Sequence, residues 1–426
     1  MSEIAYRPEV SSTLIWAIRA VSLSYLGLQM QDKNLIQNSR DIYGKALLKL
    51  NKSLQDPVEG LSSDTLSATV LLSFYEFMTC TEKNSWVRHA GGAGKLIRLR
   101  GPDRHRTGFG SSVFLSCRYT LMIEAFNSKK PCFLALPEWK QLSRELQENS
   151  EFQSPFQTVR EDIFQEVVDI PGYVTEAVES LTNDSYDSIA LRGLIRRGHK
   201  HRSNYKDLHA RLVNTLRDAG QEPTMTTSAT NNKMFSYVYQ YPSNIVGSYY
   251  CSHWSLTIMI NIVLIGLERK LSELSSPDPP ISQHQPEVDA NPLPPNQSGR
   301  GLPLLWMLTE KARRATPPIT TTVGSPSDYP TMSEDDTAHR RQLYMAENIA
   351  CARETCKSVE SMSMSVFLGP MFLVYALRNA LRVFSDENEK QWIIGKLAAI
   401  SKNFGIAKHE IDVFKQQEAG REATFA

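Results

Sequence analysis

The apolar run WSLTIMINIVLIGLE, from Trp254 to Glu268, constrains the fold of this chain more than any other stretch of its sequence. The run is shorter than the roughly 20 apolar residues that span a bilayer, and Asn261 lies in its middle. It therefore predicts a helix buried inside a protein core rather than a membrane span. The other residues must supply the rest of that core, and no membrane association is expected.

Helical periodicity recurs through most of the chain. Apolar residues at every fourth position from Leu66 to Met78 give one apolar helix face, with Asp64 as the predicted N-cap. The segment from Thr13 is apolar nearly all round, which predicts a central core helix. No alternating runs are joined by Asn-Gly or Asp-Gly, so no strand pair is predicted. The predicted fold class is all-α.

The domain organisation follows from shifts in composition. Residues 275–301 and 316–337 are rich in proline and polar residues and predict disordered insertions, because they bury too little apolar surface to offset ordering. The stretch from Glu222 to Asn232 is predicted as a polar loop, and Pro370 as a kink within a helix. We interpret residues 1–426 as one large helical domain that carries these insertions.

The stretch HAGGAGKL, beginning at His89, raises the question of a phosphate-binding loop. Such a loop needs a glycine five positions before Gly94, where His89 lies, and a hydroxyl residue after Lys95, where Leu96 lies. The pattern therefore argues against nucleotide binding. A helix whose glycines allow a neighbouring helix to approach closely is predicted instead, because each helical glycine otherwise costs about 1 kcal/mol relative to alanine.

The six cysteines predict neither disulfides nor a metal site. None of them forms a C-x-x-C pair, the spacing typical of structural zinc sites. The neighbouring histidines His199, His201 and His209 have no matching cysteine or carboxylate pattern. No metal and no cofactor are therefore predicted, and the thiols are expected to be buried in a reducing compartment.

Several ordered segments resemble one known family. The pattern W-x-x-H-x-x-G-A-x-x-L runs from Trp86 to Leu96, RGP follows at Arg100–Pro102, and LSATVLLSFYEFMTC precedes them. Together with the segments Arg118–Trp139 and Ser365–Phe414, they resemble the helical regulatory domain of fungal zinc-cluster transcription factors. In that family the DNA-binding module is a binuclear cluster held by six cysteines. No cysteine lies before Thr13, so we expect a regulator without its own zinc cluster, and direct DNA binding is not expected.

The resemblance implies a regulatory protein of a fungal metabolic pathway, with secondary metabolism as one setting. It implies a nuclear location, with the cytoplasm as the alternative, a small-molecule effector, and a dimer or a complex with a complete transcription factor. The basic residues Arg196, Arg197, Lys200 and Arg202 are candidates for a nuclear localisation signal. A solvated, charged helix face is the other interpretation of that run.

Four residues are candidates for lining an apolar ligand pocket with a few polar groups: Trp86, His89, Arg118 and Trp254. The regulatory hypothesis assigns no catalytic residue. The alternative hypothesis is an enzyme of secondary metabolism that uses the same helical fold for a cyclisation, with His89, Arg118 and His253 as its polar groups. No nucleophile motif or acid–base pair supports that alternative.

Overall fold

The structure, a computed structural model, describes residues 10–82, 84–151, 153–229, 234–275, 334–364 and 368–425. Within them the fold is all-α, as predicted, apart from one small hairpin. The first nine helices are α1 (Ser12–Met30), α2 (Lys33–Gln55), α3 (Ser63–Thr79), α4 (Ser85–Arg100), α5 (Gly108–Asn127), α6 (Pro137–Glu148), α7 (Pro155–Val167), α8 (Ile170–Thr182) and α9 (Ser188–Asp218).

The hairpin separates these helices from the later ones. Its strands are β1 (Thr224–Thr227) and β2 (Tyr237–Gln240), paired antiparallel. The helices that follow are α10 (Asn244–Ser275), α11 (Glu334–Lys357), α12 (Val359–Ser363), α13 (Leu368–Val383), α14 (Glu387–Ile400) and α15 (Gly405–Phe425). Short 3-10 turns lie at Glu59–Leu61, Pro102–His105 and Phe133–Ala135.

Helix α10 is the buried core helix that the apolar run predicts. It has 32 residues and is long and apolar enough to cross a membrane, yet 78% of its most apolar 18-residue window is buried inside the fold. It packs against α9, α11 and α13. Burial among these helices therefore accounts for its hydropathy. The helix extends beyond the predicted run because the aromatic segment from Asn244 is helical as well.

Helix α1 is not the central helix that its apolar composition predicts. Ile15, Leu26 and Met30 are exposed, and its buried face consists mainly of small residues such as Ala17 and Ala20. The helix packs against α2 and α3 in a smaller apolar cluster beside the main core. Small side chains let neighbouring backbones approach, so the buried face is narrow and the larger side chains lie toward solvent.

The glycines of α4 are partly explained by close packing, as predicted. A methyl group added at Gly94 would lie 3.3 Å from a Leu121 methyl and 3.4 Å from the Phe133 ring, and one at Gly91 would lie 3.2 Å from a Glu124 carboxylate oxygen. At Gly92 the nearest side-chain atom would be 4.0 Å away. The helix ends at Arg100, also as predicted.

The predicted cap of α3 was wrong by two residues. Ser62 is the N-cap, with an extended backbone and a side chain that accepts a hydrogen bond from the Thr65 amide. Asp64 lies in the first helical turn, where its carboxylate accepts a hydrogen bond of 2.8 Å from the Ser11 amide. A carboxylate in that position also interacts favourably with the positive end of the helix dipole.

Two further local predictions were wrong. Residues Thr224–Thr227 form β1 and pair with the aromatic residues of β2. The connection between the two strands is longer than the two-residue hairpin turns on which the prediction relied. Pro370 lies in the first turn of α13 instead of kinking a helix, since its missing N–H has no intrahelical acceptor there. The predicted disordered insertions lie largely outside the described residues; Ser275 and residues 334–337, at their ends, are helical.

Candidate functional site

Two of the four predicted pocket residues lie on α4 and pack into the core. The Trp86 ring is edge-on to Phe77 and Tyr375, with centroid distances of 6.1 and 6.0 Å. His89 Nε2 lies 2.9 Å from the Tyr43 hydroxyl, and burial lowers the pKa of the imidazole. Both side chains are therefore engaged in packing between neighbouring helices.

Arg118 forms a buried ion pair between α5 and α7. Its Nη1 donates to Glu161 Oε2 at 2.6 Å and to the Ser143 hydroxyl at 2.5 Å. The guanidinium lies 4.3 Å from the centre of the Phe164 ring. The side chains of Arg118 and Glu161 are only 8% and 6% exposed, so the pair joins the two helices inside the core.

The aromatic residues at the start of α10 form a separate group. Trp254 stacks on Tyr239 of β2 at 5.6 Å and meets Tyr250 at 5.8 Å. Among the described residues, the side chains that contact the Trp254 ring are not the ones that Trp86, His89 or Arg118 contact through rings or hydrogen bonds. The structure does not bring the four pocket candidates together around one cavity, and a shared pocket stays a prediction.

His209 of α9 and His253 of α10 stack on one another. Their ring centroids are 3.7 Å apart with an interplanar angle of 5°, and Tyr205 and Tyr250 contact the pair edgewise or at a tilt. Burial lowers the pKa of His209 to about 4, and burial followed by the charge of His209 lowers that of His253 well below its ordinary value. Both imidazoles are therefore neutral near pH 7.

We expect this stack to make the protein less stable in acid. The unfolded chain binds a proton at His209 near pH 6.5 and the folded chain only near pH 4, so stability falls as the pH drops through that interval. His209→Phe keeps the stacked ring and removes the titration, and should reduce the loss of stability. Denaturant unfolding at about pH 7.5 and about pH 5 measures the effect; an equal loss in both proteins would contradict it.

A cleft of about 570 Å³ lies between α8 and α9. Three carboxylates, one guanidinium and one imidazole reach it, so its lining carries an excess of negative charge. The lining residues are Pro131, Asp169, Gly172, Tyr173, Thr175, Glu176, Glu179, Arg197 and His201. Its volume falls in the range of small-molecule sites in proteins.

Two of the three carboxylates that line the cleft form ion pairs. Arg197 lies 2.6 Å from Glu176, and Asp169 lies 2.6 Å from Lys140 of α6. Glu179 is exposed and has no hydrogen-bonded or charged side-chain partner among the described residues. It is therefore the lining carboxylate most available to a ligand.

The imidazole of the cleft has its own carboxylate. His201 Nδ1 lies 2.7 Å from Glu166 of α7, and Asn204 donates to the same carboxylate at 3.0 Å. Burial acts to raise the pKa of Glu166, but the hydrogen bonds from His201 and Asn204 outweigh it and hold the pKa below its usual value. Glu166 thus lies on the face of α7 that packs on α9, and Asp162 on the same helix forms a half-exposed ion pair with Arg211.

The cleft floor depends on a close approach between α8 and α9. Tyr173 is 1% exposed, and its hydroxyl lies directly against Gly198. A side chain at position 198 would occupy the space of that hydroxyl, which explains why α9 has a glycine in its interior despite the cost to helix stability. The cleft geometry therefore rests on this contact.

The four basic candidates for nuclear localisation all lie on α9. Arg197 pairs with Glu176, and Arg202 pairs with Glu347 at 2.5 Å and contacts the Tyr344 ring at 4.7 Å. Arg196 and Lys200 are exposed, one helical turn apart. Two of the four thus join α9 to other helices, and a localisation role for the run stays a prediction.

Sequence reasoning missed the cleft because its residues come from distant positions. The detectable signals were Glu176 and Glu179 at i, i+3 on α8, and Gly198 in the interior of a long helix. All six thiols are predicted to be buried; Cys117, Cys132, Cys251, Cys351 and Cys356 are buried, and Cys80 is half-buried. Within the described ranges no group of three histidine, cysteine or acidic side chains is placed to hold a metal ion.

Comparison with known proteins agrees with the resemblance seen in the sequence. A family model described as the fungal specific transcription factor domain matches residues 7–284, which is more than half of the chain. An uncharacterized protein of Emericella nidulans is 32% identical over 174 residues, covering 40% of this chain and 37% of that protein's length. No solved structure matches the chain. The chain belongs to the family of proteins with a fungal specific transcription factor domain.

Proposed function

We propose that this protein regulates transcription in a fungal metabolic pathway and that its cleft between α8 and α9 binds a small cationic effector. Family membership supports a regulatory role in general and suggests a nuclear one. The observation that carries the effector proposal is the charge of the cleft: Lys140 and Arg197 pair with Asp169 and Glu176, and among the described residues no cation pairs with Glu179. A protonated amine with an apolar body complements that lining.

The contacts of α9 connect the cleft to helices α10 and α11. One turn of α9 carries His201, which faces the cleft, and Arg202, which binds Asn261 of α10 and Glu347 of α11. A ligand that moves α9 against α8 would also move this three-helix junction. Such a switch requires the ligand to bind one arrangement more tightly than the other.

The cleft proposal is tested with Glu176→Gln/Glu179→Gln in the full chain. Screening amine-bearing metabolites against matched neutral amides should identify ligands of the wild-type protein. Removing both charges should weaken amine binding about tenfold or more, the equivalent of at least 1.4 kcal/mol. The variant should still fold, because the Glu176–Arg197 pair is half exposed and contributes little to stability.

Glu59→Gln is the matched control, since Glu59 is an exposed carboxylate in the 3-10 turn before α3 and lies outside the cleft. It should bind amines like the wild type. If no amine binds the wild type, or if the double variant binds as tightly, the cleft is not a cation site. Isothermal titration calorimetry gives the affinities.

We further propose that the protein acts as a dimer or with a complete transcription factor, which would supply DNA binding in trans. The enzyme alternative gains no support from the geometry. Its three polar candidates are engaged in separate contacts: His89 with Tyr43, Arg118 with Glu161, and His253 with His209. General acid–base catalysis needs such groups within reach of one reacting centre.

A further inference from the structure

One face of α13 carries a second, unrelated group of polar side chains. Tyr375, Arg378 and Arg382 recur at i, i+3 and i+7, which places them along one side of the helix. Helix α15 packs against α13 and contributes Glu410. The group is remote in sequence from the α8–α9 cleft and shares no lining residue with it.

The two arginines of this group are buried. Arg382 is 8% exposed, and the side chain of Arg378 is 14% exposed. Glu410, 8% exposed, pairs with Arg378 through a contact of 3.1 Å between Oε1 and Nη1. Arg382 forms no hydrogen bond and no ion pair with any described residue. Two guanidinium groups therefore face one carboxylate, which leaves one positive charge uncompensated in the protein interior.

Three hydrogen-bonding atoms of the group are buried without a partner in the part of the chain that the structure describes. They are Arg382 Nη1, Arg378 Nε and the Tyr375 hydroxyl. Buried polar atoms are nearly always hydrogen-bonded, and an unpaired buried charge is far more costly than an unpaired neutral group. Burial, followed by the charge of Arg378, lowers the pKa of Arg382 to about 9, and the opposing charge of Glu410 does not offset these two effects.

We propose that Arg378 and Arg382 form a binding site for a small oxyanion, a carboxylate or a phosphate group. A single oxyanion beside the two guanidinium groups would neutralise the excess charge and accept hydrogen bonds from Arg382 Nη1 and Arg378 Nε. Guanidinium groups suit this role because their planar N–H donors match the spacing of carboxylate and phosphate oxygens. Glu410 competes with the ligand for Arg378 and sets the charge of the site.

Thermal unfolding of the full chain tests this site. Inorganic phosphate and acetate are titrated separately against sodium chloride at matched ionic strength. The wild type should show a saturable rise in Tm with at least one of the two oxyanions, as expected for a ligand that binds only the folded state. A response to phosphate alone assigns the site to phosphate groups, and a response to acetate assigns it to carboxylates. No saturable rise with either anion would overturn the proposal.

Arg382→Met provides the decisive variant because it keeps the apolar stem and removes the charge. It should lose the oxyanion response while being at least as stable as the wild type in chloride, since an unpaired buried charge has been removed. A normal oxyanion response, or a lower stability in chloride, would contradict the proposal. Arg353→Met is the matched control: Arg353 is 53% exposed and pairs with Glu389, and the variant should respond like the wild type.

Glu410→Gln tests the charge balance of the site in the opposite direction. Removing the one carboxylate should lower stability in chloride and tighten oxyanion binding, by about tenfold if the change is worth 1.4 kcal/mol. Calorimetric titration with phosphate or acetate measures the affinity directly. An affinity equal to or weaker than that of the wild type would show that Glu410 does not compete for this site.

Discussion

Replacing Glu161 by glutamine is expected to lower the free energy of unfolding by about 3–5 kcal/mol, the range for breaking a buried ion pair by removing one partner. The change leaves the Arg118 guanidinium charged and buried with neutral acceptors alone, the Ser143 hydroxyl and the carbonyl oxygen of the new amide. A loss of this size is a large share of the total stability of a typical domain. Denaturant unfolding at neutral pH measures it.

Asp162→Asn is a closely matched control, because Asp162 is the next residue on α7 and pairs with Arg211 where both side chains are about half exposed. Its effect should stay below about 1 kcal/mol. The double variant Arg118→Met/Glu161→Met should recover part of the loss, since no unpaired charge remains. If Glu161→Gln and Asp162→Asn have equal effects, the Arg118–Glu161 pair does not join α5 and α7 in the way described.

Gly198→Ala is the second change with a large expected effect, a loss of about 1–3 kcal/mol from overpacking. The added methyl would collide with the Tyr173 hydroxyl and lie 2.7 Å from a Leu264 methyl. Accommodating it would separate α9 from α8 and α10. Amine binding in the cleft should weaken together with stability, because the same contact fixes the cleft floor.

Gly193→Ala controls for the intrinsic effect of glycine, since it lies on the same helix with no atom within 4 Å of the added methyl. Alanine there should stabilise the protein by up to about 1 kcal/mol. The two alanine variants should therefore change stability in opposite directions. Thermal unfolding compares them, and the same sign for both would show that the Tyr173–Gly198 approach is not as tight as the structure has it.

The features predicted from sequence are those encoded by neighbouring residues. The apolar run around Asn261 predicted a buried helix, and the spacing through Gly94 predicted a helix that ends near Arg100; both are confirmed. The prediction for α1 failed because composition shows how apolar a helix is but not how many helices surround it. The hairpin was missed because its pairing depends on two strands separated by a long connection.

The candidate sites were beyond prediction for a related reason. The ion pair between Arg202 and Glu347 joins residues 145 positions apart, and that between Arg118 and Glu161 joins residues 43 apart. A single sequence shows which charges exist, but the folded chain decides which of them meet. Arg382 shows the opposite situation, a charge that meets no paired carboxylate. In the sequence it resembles any arginine near the end of a helix. Its burial without a paired carboxylate makes it a candidate ligand-binding residue.

The central claim is that this protein regulates transcription through an effector bound in the α8–α9 cleft. The most direct test compares transcript levels in fungal strains that carry the wild-type protein, Glu176→Gln/Glu179→Gln, or no protein, with the location of the tagged protein recorded in each. The account predicts a nuclear protein, a defined set of transcripts that changes on deletion, and the same change in the cleft variant at equal protein abundance. A protein excluded from the nucleus, whose deletion leaves transcript levels unchanged, would contradict it.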